Sequence, residues 1–471
     1  MAMTESEILT LLHKNFDPMQ AAGEDFYVDC TDVRGGVAFA RKLHLALSEA
    51  DEADPEKPNC RHYLFSGHVG GGKSSELKAL QRILEKRTPD TGYKRFFPVF
   101  VDMREYLDDF DASHEELLLA IVAELAYSFE QREGIILKEG YLTQRVNELR
   151  GYLLSEVEVN EAELELPGAK AKITRLKTSP EARKKVREAL KGKTSTLLSE
   201  INLAFIEART ALRNCRPRQN GAKYADFVLI VDGLDRLYGY GDRKTTDESQ
   251  RALFVDDSPI LLGLKAHCVF TIALSAMRAA EQELTNLYGN KPFLLAMVKT
   301  EQRGREHSPY VAGRERLKTL IEQRLTPNLT LEKAFETSAL DFMIEYSGGH
   351  IRDLLRFARE STLYGERKLP ITLRSVQKAV SENISFHNPK EGEEDWKRLA
   401  ELELSETQEW QTQKPDERRL LEQLYVMEYI NGGEEDIFND TFPWYAVHPI
   451  VRKLRPFLRA VEAKKNTPAE N

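Results

Sequence analysis

Residues 62–80 read HYLFSGHVGGGKSSELKAL: a short apolar run, then four glycines, a lysine and two serines, then apolar residues at helical spacing. Gly67-His68-Val69-Gly70-Gly71-Gly72-Lys73-Ser74 meets every defined position of the pattern G-x-x-x-x-G-K-[ST]. Glycines let successive backbone N–H groups turn inward around phosphate oxygens, where a Cβ would stand in the way. The helix that follows points its positive end at the same anion. In this reading residues 67 to 75, Ser75 included, cradle the phosphates of a nucleotide. Lys73 bridges the β- and γ-phosphates, and the Ser74 hydroxyl ligates Mg²⁺. The stretch therefore predicts a buried strand at 63–65, a phosphate loop, and a helix carrying Leu77, Leu80, Ile83 and Leu84.

Such a site needs a carboxylate on a neighbouring strand to hold the hydrated magnesium. FVLIVDGLDRL (227–237) supplies one, because five apolar residues end in Asp232. FFPVFVDM (96–103) and HCVFTIALSAM (267–277) read as two further buried strands. Strands separated by helical stretches predict an α/β class: a three-layer αβα core around a parallel sheet.

Composition narrows the rest. A chain of 471 residues has room for several domains, and 41% hydrophobic with 30% charged residues is ordinary for a globular protein. The net charge of -9 argues against a global attraction to nucleic acid or to an anionic membrane. Cys30, Cys60, Cys215 and Cys268 are scattered, which excludes a zinc ribbon and suits a reducing, cytoplasmic setting. The opening MAMTESEILTLLHKNF lacks the apolar core of a secretory signal. LLLAIVAELA (117–126) is too short to span a bilayer, so no membrane association is expected.

In chain order, residues 1–60 read as a helical segment packing on a core at 61–300, with a mainly helical insertion at about 112–222. SHEELLLAIVAEL opens with Ser113 and Glu116 in capping-box spacing and is apolar nearly all round, which predicts a buried helix. Within EVEVNEAELELPGAKAKITRL (156–176) a turn at Pro167-Gly168 would set Glu165 against Lys170 and Glu163 against Lys172, a hairpin. Thr178 with Glu181, and Pro180 in the first turn, start a helical region through about Arg213. Residues 301–390 form a helical lid, with amphipathic helices at 312–325 and 331–363. The remainder, 391–471, is α-rich or winged-helix-like.

The spelling DGLDR resembles the second acidic motif of the additional-strand ATPases, in particular the AAA+, STAND and KAP groups. The resemblance implies that Asp232 holds Mg²⁺ through water and that Asp235 polarises the attacking water, with Asp102 and Glu105 as competing acids. HCVFTIALS looks like the strand bearing sensor 1, which makes Ser275 its polar residue. YSGGHIRDLLRFARES (346–361) is similar to the GGxxR lid segment of origin-recognition-type AAA+ proteins, which makes Arg352 the sensor 2 residue. Arg278 and Arg236 are candidates for a trans-acting arginine finger. The similarity covers roughly residues 26 to 385 and departs from the family in the long insertion and in the missing second acid beside Asp232. A GTPase base-reading motif is not met, since NKPF (290–293) lacks the aspartate.

These readings converge on a Mg²⁺-dependent ATP-binding and ATP-hydrolysing switch that controls its own assembly into a homo-oligomer or a separate effector protein. Bacterial members of this group in anti-phage systems supply the implied setting. Two alternatives stand beside it: a DNA-acting initiator or transposition-type ATPase, and a P-loop kinase for a small acceptor. RKKVREALKGK (183–193) reads as a solvated helix face rather than a nucleic-acid patch, and His448 as a packed histidine beside Trp444 and Tyr445.

Overall fold

The structure is a computed structural model that describes residues 4–36, 38–49, 59–86, 93–137, 175–215, 223–365, 368–387, 392–432 and 442–466. The expected hairpin at 156–176 lies outside them but for its last two residues. The chain divides into two compact units: Phe39–Ser66 with Ala79–Phe293, and Met1–Ala38 with Gly67–Lys78 and Leu294–Asn471. The helices named below are, in chain order, α1 (Glu5–Asn15), α2 (Phe39–Ser48), α3 (Lys73–Glu85), α4 (His114–Glu133), α5 (Pro180–Leu190), α6 (Thr194–Asn214), α7 (Leu274–Ala279), α8 (Val311–Glu322), α9 (Thr337–Ser347), α10 (Ile351–Ser361), α11 (Leu373–Asn383), α12 (Glu393–Leu404), α13 (Pro415–Glu422) and α14 (Arg455–Asn466).

Strands β1 (His62–Gly67), β2 (Phe97–Asp102), β3 (Phe227–Asp232), β4 (His267–Ile272) and β5 (Phe293–Leu295) form one sheet in the order β2-β3-β4-β1-β5. The β2–β3, β3–β4 and β1–β4 pairs are parallel, which requires a crossover between each pair of neighbours. Every residue of β3 is buried, as a strand covered on both faces must be, and this is why its sequence is apolar without alternation. The register sets Asp102 beside Asp232 at the carboxyl ends of β2 and β3, the edge where open parallel sheets hold their ligands.

Helices α4 and α6 cover this sheet. Phe129 of α4 packs edge-on against Phe97, and Phe205 of α6 against Phe227. Both halves of the expected capping box are present on α4, with Ser113 and Glu116 exchanging side-chain and backbone bonds. The helical region from 178 to 213 consists of two helices, α5 and α6. Ser179 rather than Thr178 caps α5 by accepting from the Ala182 N–H, and the chain reverses at Gly192, whose φ of +72° only glycine adopts freely.

In the other unit α1, α8, α9, α10 and α11 enclose a core that includes Leu12, Phe16, Leu317, Met343, Leu354, Phe357 and Val376. The predicted helix at 331–363 is broken, first after Ala334 and again at Gly348-Gly349, which ends α9 before α10 begins. Beyond α12 and α13, strands β6 (Val426–Ile430) and β7 (Pro443–Val447) pair antiparallel, and α14 follows. The Tyr429 and Trp444 rings stack 4.6 Å apart across this ribbon and share a small core with Met297 and Met427. Among the described residues no helix is long and apolar enough to cross a membrane.

Candidate nucleotide site

The loop between β1 and α3 has the backbone that its glycines predict. Gly70 and Gly72 lie at φ +89° and +105°, and the Gly71 N–H closes a tight turn onto the His68 carbonyl. Lys73 is buried, its amino group donating to the Gly67 and His68 carbonyls at 2.6 and 3.0 Å. Ser74 is partly exposed at the start of α3. The Ser75 hydroxyl accepts from the Ala22 N–H at 2.9 Å, so its oxygen also anchors the N-terminal segment.

Three segments of the same unit hold this loop. Arg34 donates to the Gly71 carbonyl, and the Glu428 N–H of β6 donates to His68 Nε2 at 3.0 Å, which puts the His68 ring proton on Nδ1. From α10 and the residue before it come two further bonds. His350 Nε2 donates to the Val69 carbonyl at 2.9 Å, and the Arg352 N–H donates to the Gly70 carbonyl at 3.2 Å. A Cβ on Gly70 would stand 2.5 Å from His350 Nε2 and 2.9 Å from the Arg352 Cβ. Glycine is required there by contact as well as by torsion.

His350 is part of a larger cluster that the sequence reading missed. Its Nδ1 lies 2.9 Å from Asp353 Oδ2, and that oxygen is 3.6 Å from His448 Nε2. Arg356 takes the other Asp353 oxygen at 3.1 Å, and His448 Nδ1 accepts from the Ile450 N–H. His448 therefore sits beside a carboxylate after all, one supplied by α10 rather than by its own neighbourhood in sequence. The separation of His350 and Asp353 by three residues at a helix start was the available signal.

The candidate acids lie in the unit that carries the sheet. Asp232 is buried, and one of its oxygens accepts from the Gly233 N–H at 2.9 Å. Asp102 is engaged by the Arg104 guanidinium through both oxygens, which holds the guanidinium firmly protonated, and the charges of Asp232 and Asp235 add to that effect. Glu105 is exposed, whereas Asp235 is buried on the turn after β3. Asp102 as a water-polarising acid would first have to release Arg104. Nothing in the local spelling around Arg104 marks this contact.

Ser275 is not on a strand. β4 ends at Ile272, and Ser275 lies in the first turn of α7 with its hydroxyl buried and without a hydrogen-bond partner among the described residues. The fully buried Gln250 ties the two acidic-site loops together, donating to the Leu234 carbonyl at 2.6 Å and accepting from the Ala273 N–H at 3.1 Å. Of the finger candidates, Arg278 is paired with Glu281 at 2.7 Å, and Arg236 is half-buried. In RKKVREALKGK the solvated-face reading fails for two residues. Arg183 and Arg187 turn inward to Asp108, Asp111 and Glu116.

A glycine loop closed to a Cβ at Gly70, with a buried lysine held against it, fits the phosphates of a nucleotide. Sheet and loop together define an α/β protein of the P-loop class. No family model and no curated protein matches the sequence. Among solved structures the chain is similar to Drosophila ORC bound to DNA, at 12% identity over 99% of this chain and 94% of that one, with a TM-score of 0.39. It is also similar to a Walker-type ATPase of Pyrococcus abyssi, at 13% identity over 91% and 98% with a TM-score of 0.37. The Aeropyrum pernix ORC2 protein in its ADPNP–ADP complexes gives 14% identity over 91% and 93%, with a TM-score of 0.37. At such scores the functional reading rests on the residues alone.

Proposed function

We propose that the chain is a Mg²⁺-dependent ATPase switch of AAA+/STAND-like type. The observation that carries this reading is the pair of bonds from His350 and Arg352 to the Val69 and Gly70 carbonyls. A loop whose tip is bonded to the start of a lid helix transmits any change in its own geometry to that helix, which suits a switch better than a metabolic enzyme. Gly67, His68, Val69, Gly70, Gly71, Gly72, Lys73, Ser74 and Ser75 would hold the phosphates; Ser74 and Asp232 would hold the metal. Bound Mg²⁺ would supply charge neutralisation at the β- and γ-phosphates. Asp235 would orient water, Ser275 would offer its unsatisfied hydroxyl, and Arg352 would report the terminal phosphate to α10. Control of a homo-oligomer or of a separate effector, in a bacterial anti-phage setting, is the role the AAA+/STAND resemblance supports.

Lys73→Ala and Asp232→Asn are each expected to abolish ATP turnover, and normal turnover in either variant would sink the assignment. Light scattering with and without ATP reads the assembly. A DNA-acting role is the second reading, favoured by the order α13, β6, β7, α14, which suits a winged helix. Binding to duplex DNA that weakens steeply with salt would favour it over the first.

A further inference from the structure

Among the described residues, Arg34 is a buried cation with no anion. Only 5% of its surface is exposed, its Nε has no hydrogen-bond partner, and no carboxylate pairs with it among the described residues. The nearby acids are committed elsewhere. Asp32 pairs with Arg316 at 2.7 Å, and Glu76 accepts from the Tyr27 hydroxyl at 3.0 Å. The neighbouring Cys30 offers no charge, since burial pushes its thiol up despite the opposing guanidinium. Besides the Cys30 sulfur, the guanidinium reaches two carbonyls, Ala296 at 2.7 Å and Gly71 at 2.8 Å.

The second of these contacts belongs to the phosphate loop. In a trans peptide the C=O and N–H point opposite ways. Fixing the Gly71 carbonyl on Arg34 therefore turns the N–H of Gly72, the other half of that peptide, away from Arg34. Arg34 NH2 also lies 3.5 Å from where a Cβ on Gly72 would stand. The mount is rigid. Arg34 ends a short turn closed by Gly35 and Gly36 at φ +91° and +71°, and the Gly36 N–H bonds back to the Thr31 carbonyl. A Cβ on Gly35 would meet the Ile430 side chain at 2.6 Å, so the turn packs closely against β6 and admits only glycine there. A desolvated charge costs stability unless something compensates it.

We propose that Arg34 is a positioning residue for the triphosphate: it orients the Gly71–Gly72 peptide and places a second fixed positive charge, after Lys73, behind the phosphate loop. The compensating anion is the ligand's own polyphosphate. This inference rests on the nucleotide reading of the loop. It implies a graded effect, greatest for ATP, smaller for ADP and absent for adenosine, because the field of Arg34 acts on phosphate charge alone.

The test is competition of ATP, ADP and adenosine against a fluorescent ATP analogue on the full chain, with thermal melting of each ligand-free variant. Arg34→Gln is expected to weaken ATP by about tenfold, ADP by less and adenosine not at all, the size expected for one charge-assisted contact. Arg34→Lys, which keeps the charge but loses the fork, is expected to fall between Arg34→Gln and the wild type. Equal losses for ATP and adenosine, or unchanged ATP binding by Arg34→Gln, would overturn the proposal. If Arg34→Gln does not fold, the same ladder is read on Arg34→Lys, where an equal loss for ATP and adenosine is the overturning result. Wild-type protein that binds none of the three overturns the nucleotide reading itself. Wild type that binds ATP beside a variant that binds it equally overturns this inference alone.

Discussion

His350 Nε2 stands 2.9 Å from the Val69 carbonyl, so a ring ahead of α10 donates directly into the tip of the phosphate loop. Replacing it with alanine leaves the Val69 carbonyl without that donor, at a cost of about 1–3 kcal/mol if water does not replace it. His350→Ala is expected to keep ATP binding while losing ATP-induced protection of residues 346–361 from hydrogen exchange. Protection equal to that of the wild type would show that the bond does not couple loop to helix.

Gly70→Ala asks more of the structure. Its φ of +89° disfavours any L residue by about 1–2 kcal/mol, and the added methyl would stand 2.5 Å from His350 Nε2. Either α10 gives way or the loop does. A loss of ATP affinity of at least about tenfold is expected from strain of this size, and calorimetric titration reads it. Unchanged affinity would refute the packing argument.

Gln250 is the structural tie between the turn after β3 and the approach to Ser275. Gln250→Leu keeps the volume but strands the Leu234 carbonyl and the Ala273 N–H, a destabilisation of about 1–3 kcal/mol for each group left unsatisfied. Turnover is expected to fall by more than ATP affinity does, because the residues displaced are those assigned to chemistry. A variant with wild-type kcat would assign Gln250 to stability alone.

A pH dependence follows from a buried cluster in the helical unit. Hydrogen bonds that the His307 ring donates to Glu301 and then to Glu403 raise its pKa to about 9, against the partial burial that opposes its charge. Burial disfavours the Glu301 charge, but bonds from Arg452 and His307 outweigh this and lower the carboxyl to about 2. A raised histidine contributes stability that is complete below its unfolded value near 6.5 and is lost as pH rises through about 9. The lowered glutamate contributes above 4.5 and loses its contribution as pH falls toward about 2. Melting temperature is therefore expected to decline between pH 6.5 and 9, and His307→Gln to flatten that decline. An unchanged slope in the variant would remove His307 from the account.

Four of the five sheet strands are legible as largely apolar runs, while the three-residue β5 is too short to stand out, and the loop is legible because its glycines sit where torsion demands them. Ser275 falls beyond the strand because the two apolar residues after Ile272, Ala273 and Leu274, read the same whether strand or helix follows. The predicted 331–363 helix runs too long because Gly348-Gly349, a stop signal, ends it after Ser347. His350 and Asp353 are three residues apart and could be paired from spacing, but His448 joins them only through long-range packing that no spacing shows. Arg34 gave no signal at all, for a lone arginine before two glycines looks like any turn.

The bond from the Glu428 N–H to His68 bears on how the molecule can be dissected. A fragment ending before α12, the natural choice for isolating a catalytic portion, would remove the backbone donor to a loop residue and bare Met297 to water. Its affinity for nucleotide would describe the fragment. Only the intact chain reports what this loop does when the ribbon is seated on it.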